Sequence, residues 1–93
     1  MGAGGVTNHG SYKVYGKIGD LKVTGKPNSR IDLYNSNGVK IQSRWYGLDG
    51  KAVRNRDYKH GGNLEFPHDH IWNWSNSLPR GKEHITPDYK NFK

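Results

Sequence analysis

Apolar and polar residues alternate along the first two thirds of the chain with the period of two that is typical of β-strands. The first alternating stretch runs from Tyr12 to Thr24 and is interrupted by Gly19-Asp20, which predicts a short hairpin. Residues 1–10 are rich in glycine and show no period, so we expect a flexible leader or the scar of a cut from a longer chain. No segment has the period of a helix of ten or more residues. Residues 11–93 are therefore expected to form one small domain, mainly β or α+β.

A 12-residue repeat occupies the middle of the chain. Tyr34, Tyr46 and Tyr58 share this spacing, and Asn37-Gly38 recurs as Asp49-Gly50. Both dipeptides accept the positive φ values of tight hairpin turns, so we expect each to close a two-residue turn. The prediction is a small antiparallel β-meander with strands at about 31–36, 39–46 and 51–58.

The repeat also predicts how side chains divide between the two faces of this meander. Alternation directs Val39, Ile41 and Trp45 towards a core, and the repeat places Val53 with them. The opposite face is expected to carry basic and aromatic side chains, namely Lys40, Arg44, Tyr46, Arg54, Arg56 and Tyr58. Guanidinium groups bind phosphate and aromatic rings stack on unpaired bases, so such a face suits RNA or single-stranded DNA. A charged sheet face that only keeps the domain soluble is the alternative.

The last third of the chain combines aromatic residues with an irregular tail. Ile71, Trp72 and Trp74 are expected to complete the core or to line a groove, and Trp72 is a candidate for contact with substrate. Residues 75–93 contain two prolines and no long apolar period. We expect this tail to be irregular, or to form short helices, and to pack on one face of the sheet.

Composition adds a strong positive charge to this picture. Lys and Arg number 15 against 8 Asp and Glu, which gives a formal net charge of +7 in 93 residues. Such a field favours polyanions: nucleic acid, an anionic membrane surface or an acidic protein. There is no cysteine, which excludes disulfides, thiol nucleophiles and thiolate zinc sites. No apolar run reaches the length of a membrane span and no phosphate-binding glycine loop occurs, so neither membrane insertion nor nucleotide hydrolysis is expected.

Histidines are the residues best suited to chemistry, and His60, His68 and His70 follow the basic strand closely. Cleavage of RNA without a metal needs a base for the 2′-hydroxyl, an acid for the 5′-oxygen and cations for the phosphate. Three interpretations stay open: structural histidines, a metal-free acid and base, or metal ligands at His68 and His70. His9 and His84 are expected to be exposed and uninvolved.

The candidate residues fall into two groups. The candidate catalytic residues are His60, His68, His70, Arg56, Asp57 and Tyr58. The candidate substrate-binding residues are Lys40, Arg44, Tyr46, Arg54 and Trp72.

A set of short motifs extends over about half of the chain: Asn28-Ser29-Arg30-Ile31-Asp32-Leu33-Tyr34, Asn37-Gly38, Gln42-Ser43-Arg44-Trp45-Tyr46, Asp49-Gly50, Arg54-Asn55-Arg56-Asp57-Tyr58, His60 and Pro67-His68-Asp69-His70-Ile71-Trp72. This set resembles the C-terminal nuclease domains of bacterial polymorphic toxins of the LXG and contact-dependent types. The resemblance implies a toxin tip, secreted or delivered as part of a larger protein, that acts in the cytoplasm of a target cell. It also implies an acidic immunity protein as partner and a meander sheet like that of the barnase, EndoU, colicin and RelE group.

The resemblance further implies that RNA, such as tRNA or rRNA, is a more common substrate than DNA. The matching positions that it marks as site residues are Arg44, Arg56, Asp57, Tyr58, His60, His68 and His70. The sequence thus predicts a toxin domain that cleaves RNA by metal-independent acid/base chemistry, without a cofactor. A metal-dependent nuclease using His68 and His70 and a non-catalytic nucleic-acid-binding module are the alternatives.

Overall fold

A single five-stranded sheet organises the domain. The structure, a computed structural model, describes residues 10–58 and 67–93. The strands are β1 (Ser11–Tyr15), β2 (Arg30–Tyr34), β3 (Lys40–Tyr46), β4 (Ala52–Asp57) and β5 (His68–Ile71), and they lie side by side in chain order. The β1–β2 pair is parallel and the other pairs are antiparallel. No helix forms within the described ranges, which confirms a small, mainly β fold.

The three strands predicted from the repeat are present as β2, β3 and β4, but their turns differ from the prediction. Each loop has three residues, because Asn35 N donates to Val39 O at 2.9 Å and Gly47 N donates to Lys51 O at 2.9 Å. Gly38 and Gly50 both have a φ of 78°, as expected for the left-handed residue that ends a three-residue hairpin loop. The prediction of two-residue turns was therefore wrong, although it located the glycines correctly.

The predicted hairpin between Tyr12 and Thr24 does not form. Its first half is β1, which pairs in parallel with β2 rather than with its own continuation. The chain turns after Lys17, whose carbonyl accepts from Asp20 N at 3.0 Å. The second half then reaches the first residue of β4, where Val23 O accepts from Ala52 N at 2.9 Å. Alternation marked β1 correctly, but the second half forms no strand and makes only an isolated bridge from Thr24 to Lys51. The pattern also carried no information about which strand β1 pairs with.

The sheet has two faces, and the strand register contradicts their predicted composition. Arg44 pairs with Asn55 and Ser43 pairs with Arg56, so Arg44 and Arg56 point to opposite faces. A 12-residue repeat preserves odd and even numbering, whereas this antiparallel register pairs even-numbered residues with odd-numbered ones. The repeat therefore assigned the residues of β4 to the wrong face of the sheet.

We name the two faces by what covers them. The tail face carries Ser43, Trp45, Arg54, Arg56 and Asp69. The histidine face carries Gln42, Arg44, Asn55, Asp57, His68 and His70.

Within residues 10–58 and 67–93, a few apolar side chains form the core. They are Leu21, Leu33, Trp45, Tyr46, Ala52 and Phe92. The tail is irregular, as predicted, and it brings Phe92 against Trp45 on the tail face, with ring centroids 5.6 Å apart. Val39, which was predicted to be core, is 51% exposed because it lies at the end of the β2–β3 loop. Among the described residues, no helix is long and apolar enough to cross a membrane.

Candidate functional site

A buried ion-pair cluster fills the tail face. Asp69 is fully buried, and its carboxylate accepts from Arg54 Nε at 2.6 Å and from Arg56 Nε at 2.8 Å. The Arg56 guanidinium lies 4.8 Å from the ring centroid of Trp45 and 4.4 Å from that of Tyr89. Because these arginines are enclosed between a carboxylate and aromatic rings, they hold the tail to the sheet and do not face solvent.

Four residues predicted for catalysis or substrate binding thus lie away from the histidine face. Arg54 and Arg56 belong to the buried cluster of the tail face. The Tyr58 hydroxyl lies 3.0 Å from Ser43 Oγ, and Lys40 Nζ lies 4.7 Å from the centroid of the Tyr58 ring.

The prediction that these side chains share a face with Arg44 was wrong. For Arg54, Arg56 and Tyr58 the reason is the β3–β4 register given above. For Lys40 it is the register shift in the β2–β3 pair, where Leu33 pairs with Gln42 but Tyr34 pairs with Lys40.

Asp57 organises the histidine face. Its Oδ2 lies 3.0 Å from His68 Nε2 and 3.2 Å from His70 Nε2, and its Oδ1 accepts from Gln42 Nε2 at 2.8 Å. Asp57 and His68 are neighbours across the β4–β5 ladder, and His70 follows two residues later on the same face. The His-x-His spacing on an extended strand therefore places both rings on one face, next to one carboxylate, and Asp69 on the other face.

His70 has a defined tautomer. Its Nδ1 lies 2.8 Å from the carbonyl oxygen of Gly81, which can only accept, so Nδ1 carries a proton. In the neutral ring the lone pair is then on Nε2, next to Asp57. Burial lowers the pKa of His70 below its ordinary value of 6.5, an effect that the Gly81 hydrogen bond and Asp57 partly offset. His70 is thus set up as a neutral base whose protonated form has a carboxylate beside it.

His84 joins the two strand histidines from the tail. Its ring stacks on His68 with centroids 4.0 Å apart and planes 7° apart, and its centroid lies 5.0 Å from that of His70. His84 is exposed, whereas the other two are buried. One nitrogen of each ring lies within 4.8 Å of the others, so the three histidines could hold a metal ion.

A pocket of about 380 Å³ opens on the histidine face. Its charged and titratable lining residues are Arg44, Asp57, His70, Arg80, Lys82 and His84. Three permanent cations against one carboxylate make this pocket positive. A bound divalent cation would add to that charge, whereas a phosphate would neutralise it. The electrostatics of the pocket therefore favour an anion over a metal.

Arg44 is both a lining residue and an anchor. Its Nε donates to Asn55 Oδ1 at 2.6 Å and its Nη1 donates to Leu21 O at 2.7 Å. Burial lowers the pKa of this guanidinium from its ordinary value. The Tyr46 hydroxyl, predicted to contact substrate, instead donates to Lys22 O at 2.6 Å and is buried. Arg44 thus supplies charge to the pocket, while Tyr46 holds the loop beside it.

Trp72, predicted to contact substrate, lies beside the pocket. Its Nε1 donates to Asn55 Oδ1 at 3.0 Å, and its ring lies 5.0 Å from Arg44 Cζ. Trp72 therefore stands next to two residues that line the pocket. His60, also a predicted catalytic residue, lies outside the described residues.

Sequence reasoning missed Arg80, Lys82 and His84. The segment 80–85 runs antiparallel to β5, with bridges from Trp72 to Arg80 and from Asp69 to Ile85. In an extended segment every second side chain points the same way, which brings these three residues to one side. The Arg-x-Lys-x-His spacing was the signal that could have found them, but the two prolines of the tail had suggested an irregular segment.

Comparison with known proteins identifies no relative of this chain. The chain matches no protein-family model, and searches of curated proteins and of solved structures find no significant match.

Proposed function

We propose that the pocket on the histidine face cleaves RNA by metal-independent acid/base chemistry. The observation that carries this proposal is the presence of two histidines, His70 and His84, in one pocket with Arg44, Arg80 and Lys82. Two imidazoles supply the proton transfers of the reaction and the cations supply the charge that a phosphodiester requires. The positive charge of the pocket also favours this chemistry over a metal-dependent one.

His70 is the proposed base. Its Nε2 lone pair takes the proton of the ribose 2′-hydroxyl, and the 2′-oxygen attacks the adjacent phosphorus. The imidazolium formed in this step is stabilised by Asp57 Oδ2, which lies 3.2 Å from Nε2. Gly81 holds the tautomer throughout, because its carbonyl keeps the Nδ1 proton in place. Asp57 and Gly81 thus act as positioning residues.

His84 is the proposed acid. As the bond from phosphorus to the 5′-oxygen breaks, protonated His84 gives its proton to that oxygen. The products are a 2′,3′-cyclic phosphate and a free 5′-hydroxyl, so protons and bonds balance without another reactant. Arg80 and Lys82 stabilise the negative charge that builds up on the phosphorane. His68, buried beneath the stacked ring of His84, sets the position of that ring.

The biological setting that we propose comes from the sequence resemblance. The domain would be a toxin tip, secreted or delivered as part of a larger protein, acting on tRNA or rRNA in the cytoplasm of a target cell. An acidic immunity protein would neutralise it, and the net charge of +7 supports such a partner because opposite charge accelerates association. Toxicity on cytoplasmic expression, relieved by a co-expressed acidic partner, is the expected behaviour.

The test is cleavage of a single-stranded RNA in EDTA, with the 2′-deoxy oligonucleotide of the same sequence as control. We expect the RNA to be cut with 2′,3′-cyclic phosphate ends and the DNA to stay intact. The variant His84→Gln should lose cleavage, while Lys90→Gln, an exposed change outside the pocket lining, should not.

Two results would contradict the proposal. Cleavage only after addition of a divalent ion would point to the metal-dependent alternative at His68 and His70. RNA that stays intact under all conditions, with binding that weakens steeply as salt rises, would point to a non-catalytic binding module.

A further inference from the structure

Three histidines of the histidine face bring ring nitrogens close together. One nitrogen each of His68, His70 and His84 lies within 4.8 Å of the other two. In a tetrahedral zinc site the zinc–nitrogen distance is about 2.0–2.1 Å, which separates the ligand atoms by about 3.3–3.4 Å. The cluster is therefore wider than a closed metal site by a distance that the movement of one ring can remove.

Asp57 already lies at the distance of a fourth ligand. Its Oδ2 is 3.0 Å from His68 Nε2 and 3.2 Å from His70 Nε2, close to the separation of ligand atoms in a tetrahedral site. Its Oδ1 accepts from Gln42 Nε2 at 2.8 Å. A carboxylate that offers one oxygen to the ion while the other is held by a hydrogen bond is common at metal sites.

The nitrogen that His70 offers is fixed by its backbone partner. Because Nδ1 donates to Gly81 O at 2.8 Å, the neutral ring directs the lone pair of Nε2 towards Asp57 Oδ2. Two acceptors at 3.2 Å repel each other, and a cation held by both, either a proton or a metal ion, removes the repulsion. Histidines that bind metal ions usually donate their other N–H to a carbonyl or a carboxylate, as His70 does.

His84 is the ligand that has to move. Its ring is stacked parallel to that of His68, with centroids 4.0 Å apart, so the lone pairs of the two rings do not point to one spot. The exposed His84 side chain can turn about its own bonds and direct a nitrogen at the ion. Asp57, His70 and His84 all line the open pocket, so an ion can reach them from solvent.

The charge of the pocket decides how firmly an ion is held. Arg44, Arg80 and Lys82 line the same pocket and oppose a divalent cation. Imidazole nitrogens suit Zn²⁺, Cu²⁺ and Ni²⁺, whereas Mg²⁺ and Ca²⁺ require oxygen ligands. Three imidazoles and one carboxylate in a positive pocket thus select a transition metal and release it readily.

We infer that the three histidines and Asp57 form a reversible site for a transition-metal ion such as Zn²⁺, and that the bound ion blocks the pocket. The blocking part rests on the proposed function. The ion occupies the Nε2 lone pair of His70, the proposed base, and a ring nitrogen of His84, the proposed acid, so neither ring can transfer a proton. The metal is a regulator and takes no part in cleavage.

The first test measures metal binding without RNA. The protein is titrated by calorimetry with ZnCl₂ and, separately, with MgCl₂, and we expect one Zn²⁺ per chain and no binding of Mg²⁺. The exposed variant His84→Gln should weaken Zn²⁺ binding at least about tenfold, since even partners of metal ligands contribute that much. Two matched controls should bind as the unsubstituted protein does: His9→Gln, which removes a histidine outside the described residues, and Glu83→Gln, an exposed neighbour of His84. Absence of Zn²⁺ binding, or equal affinity in His84→Gln, would overturn the site.

The second test measures cleavage of a single-stranded RNA as Zn²⁺ is added. We expect cleavage to fall about tenfold or more over the concentrations at which Zn²⁺ binds, to return when EDTA is added in excess, and to be unaffected by Mg²⁺. Cleavage that continues at full rate with the site filled, or that is stimulated by Zn²⁺, would overturn the blocking role.

These outcomes separate the metal site from the proposed function. Zn²⁺ binding that depends on His84, in a protein that cleaves no RNA under any condition, would support the site and contradict the ribonuclease. Cleavage in EDTA by a protein that binds no Zn²⁺ would support the ribonuclease and overturn the site.

Discussion

Both faces of the sheet carry a buried aspartate with basic partners, but the surroundings of the two aspartates differ. On the tail face, Asp69 is enclosed by Arg54 and Arg56, and aromatic rings cover the guanidinium groups. On the histidine face, Asp57 Oδ2 lies close to the Nε2 atoms of His68 and His70, beside an open pocket. The tail face is held together by its charges, whereas the histidine face carries its charges around an open pocket.

This comparison shows that charge alone does not identify a functional residue. Arg56 is among the most buried side chains of the domain, although its sequence context is that of a phosphate-binding strand. Lys82 and His84 lie in a tail that was expected to be uninvolved, yet they line the pocket. What distinguishes the two sets is whether their hydrogen-bonding groups are already used within the protein.

The largest effect on stability should follow from disrupting the buried ion-pair cluster of the tail face. Asp69→Asn removes the charge that pairs with two buried guanidinium groups, and a broken buried ion pair typically costs about 3–5 kcal/mol. For a domain of this size that is a large part of the free energy of unfolding. Urea denaturation should show it, with the exposed Glu83→Gln as control. A loss below about 1 kcal/mol would mean that the cluster contributes little to the fold.

The next largest effect should be on cleavage, with the fold intact. His84→Gln removes the proposed acid from an exposed position, and His70→Gln removes the proposed base. Each should lower kcat by about 100-fold or more, the usual contribution of a general acid or base. Circular dichroism and urea denaturation check that His84→Gln leaves stability nearly unchanged. A folded variant that keeps full activity contradicts the role assigned to that histidine.

Smaller effects should follow from removing the pocket cations. Arg80→Gln and Lys82→Gln should each weaken binding of a 2′-deoxy oligonucleotide and reduce the slope of log affinity against log salt by about 0.7. Lys90→Gln, on the exposed tail outside the pocket lining, serves as the matched control. Salt slopes that are equal in all three variants would place the nucleic acid elsewhere.

The smallest effect concerns the pH dependence of stability. Because burial lowers the pKa of His70, the unfolded chain takes up a proton near pH 6.5 while the folded chain takes it up only at lower pH. The stability that neutral His70 contributes is therefore present above pH 6.5 and is lost as the pH falls through that value towards the pKa of the folded state. Between pH 8 and pH 5, the temperature of thermal unfolding should therefore decrease less for His70→Gln than for the unsubstituted protein. Parallel curves for the two proteins would contradict this linkage.

Local patterns predicted much of the fold. The strands β2, β3 and β4 could be read from alternation and from two glycine turns, because these features act between neighbouring residues. The parallel pairing of β1 could not, since alternation continues from β1 to Thr24 and favoured a hairpin within that stretch, whereas β1 pairs with β2. The assignment of faces failed for a related reason: a repeat describes each strand separately, whereas the register is a property of the pair.

The candidate site was predicted in part. His68, His70, Asp57 and Arg44 were named from the sequence, and the structure brings them together on the histidine face. His84 was expected to be uninvolved, because its place at the pocket depends on the tail running along the edge of β5. Patterns within a single sequence carry no information about contacts between segments that lie far apart in the chain.

The central claim, that the histidine face binds the substrate and the tail face does not, is tested most directly by nuclear magnetic resonance. The isotope-labelled protein is titrated with a 2′-deoxy oligonucleotide, which lacks the attacking hydroxyl and so stays intact. We expect the amide and histidine shifts to change at His70, Arg80, Lys82 and His84, with little change at Arg56, Asp69 and Phe92. Shifts that cluster at Arg56, Asp69 and Phe92 instead would contradict the account.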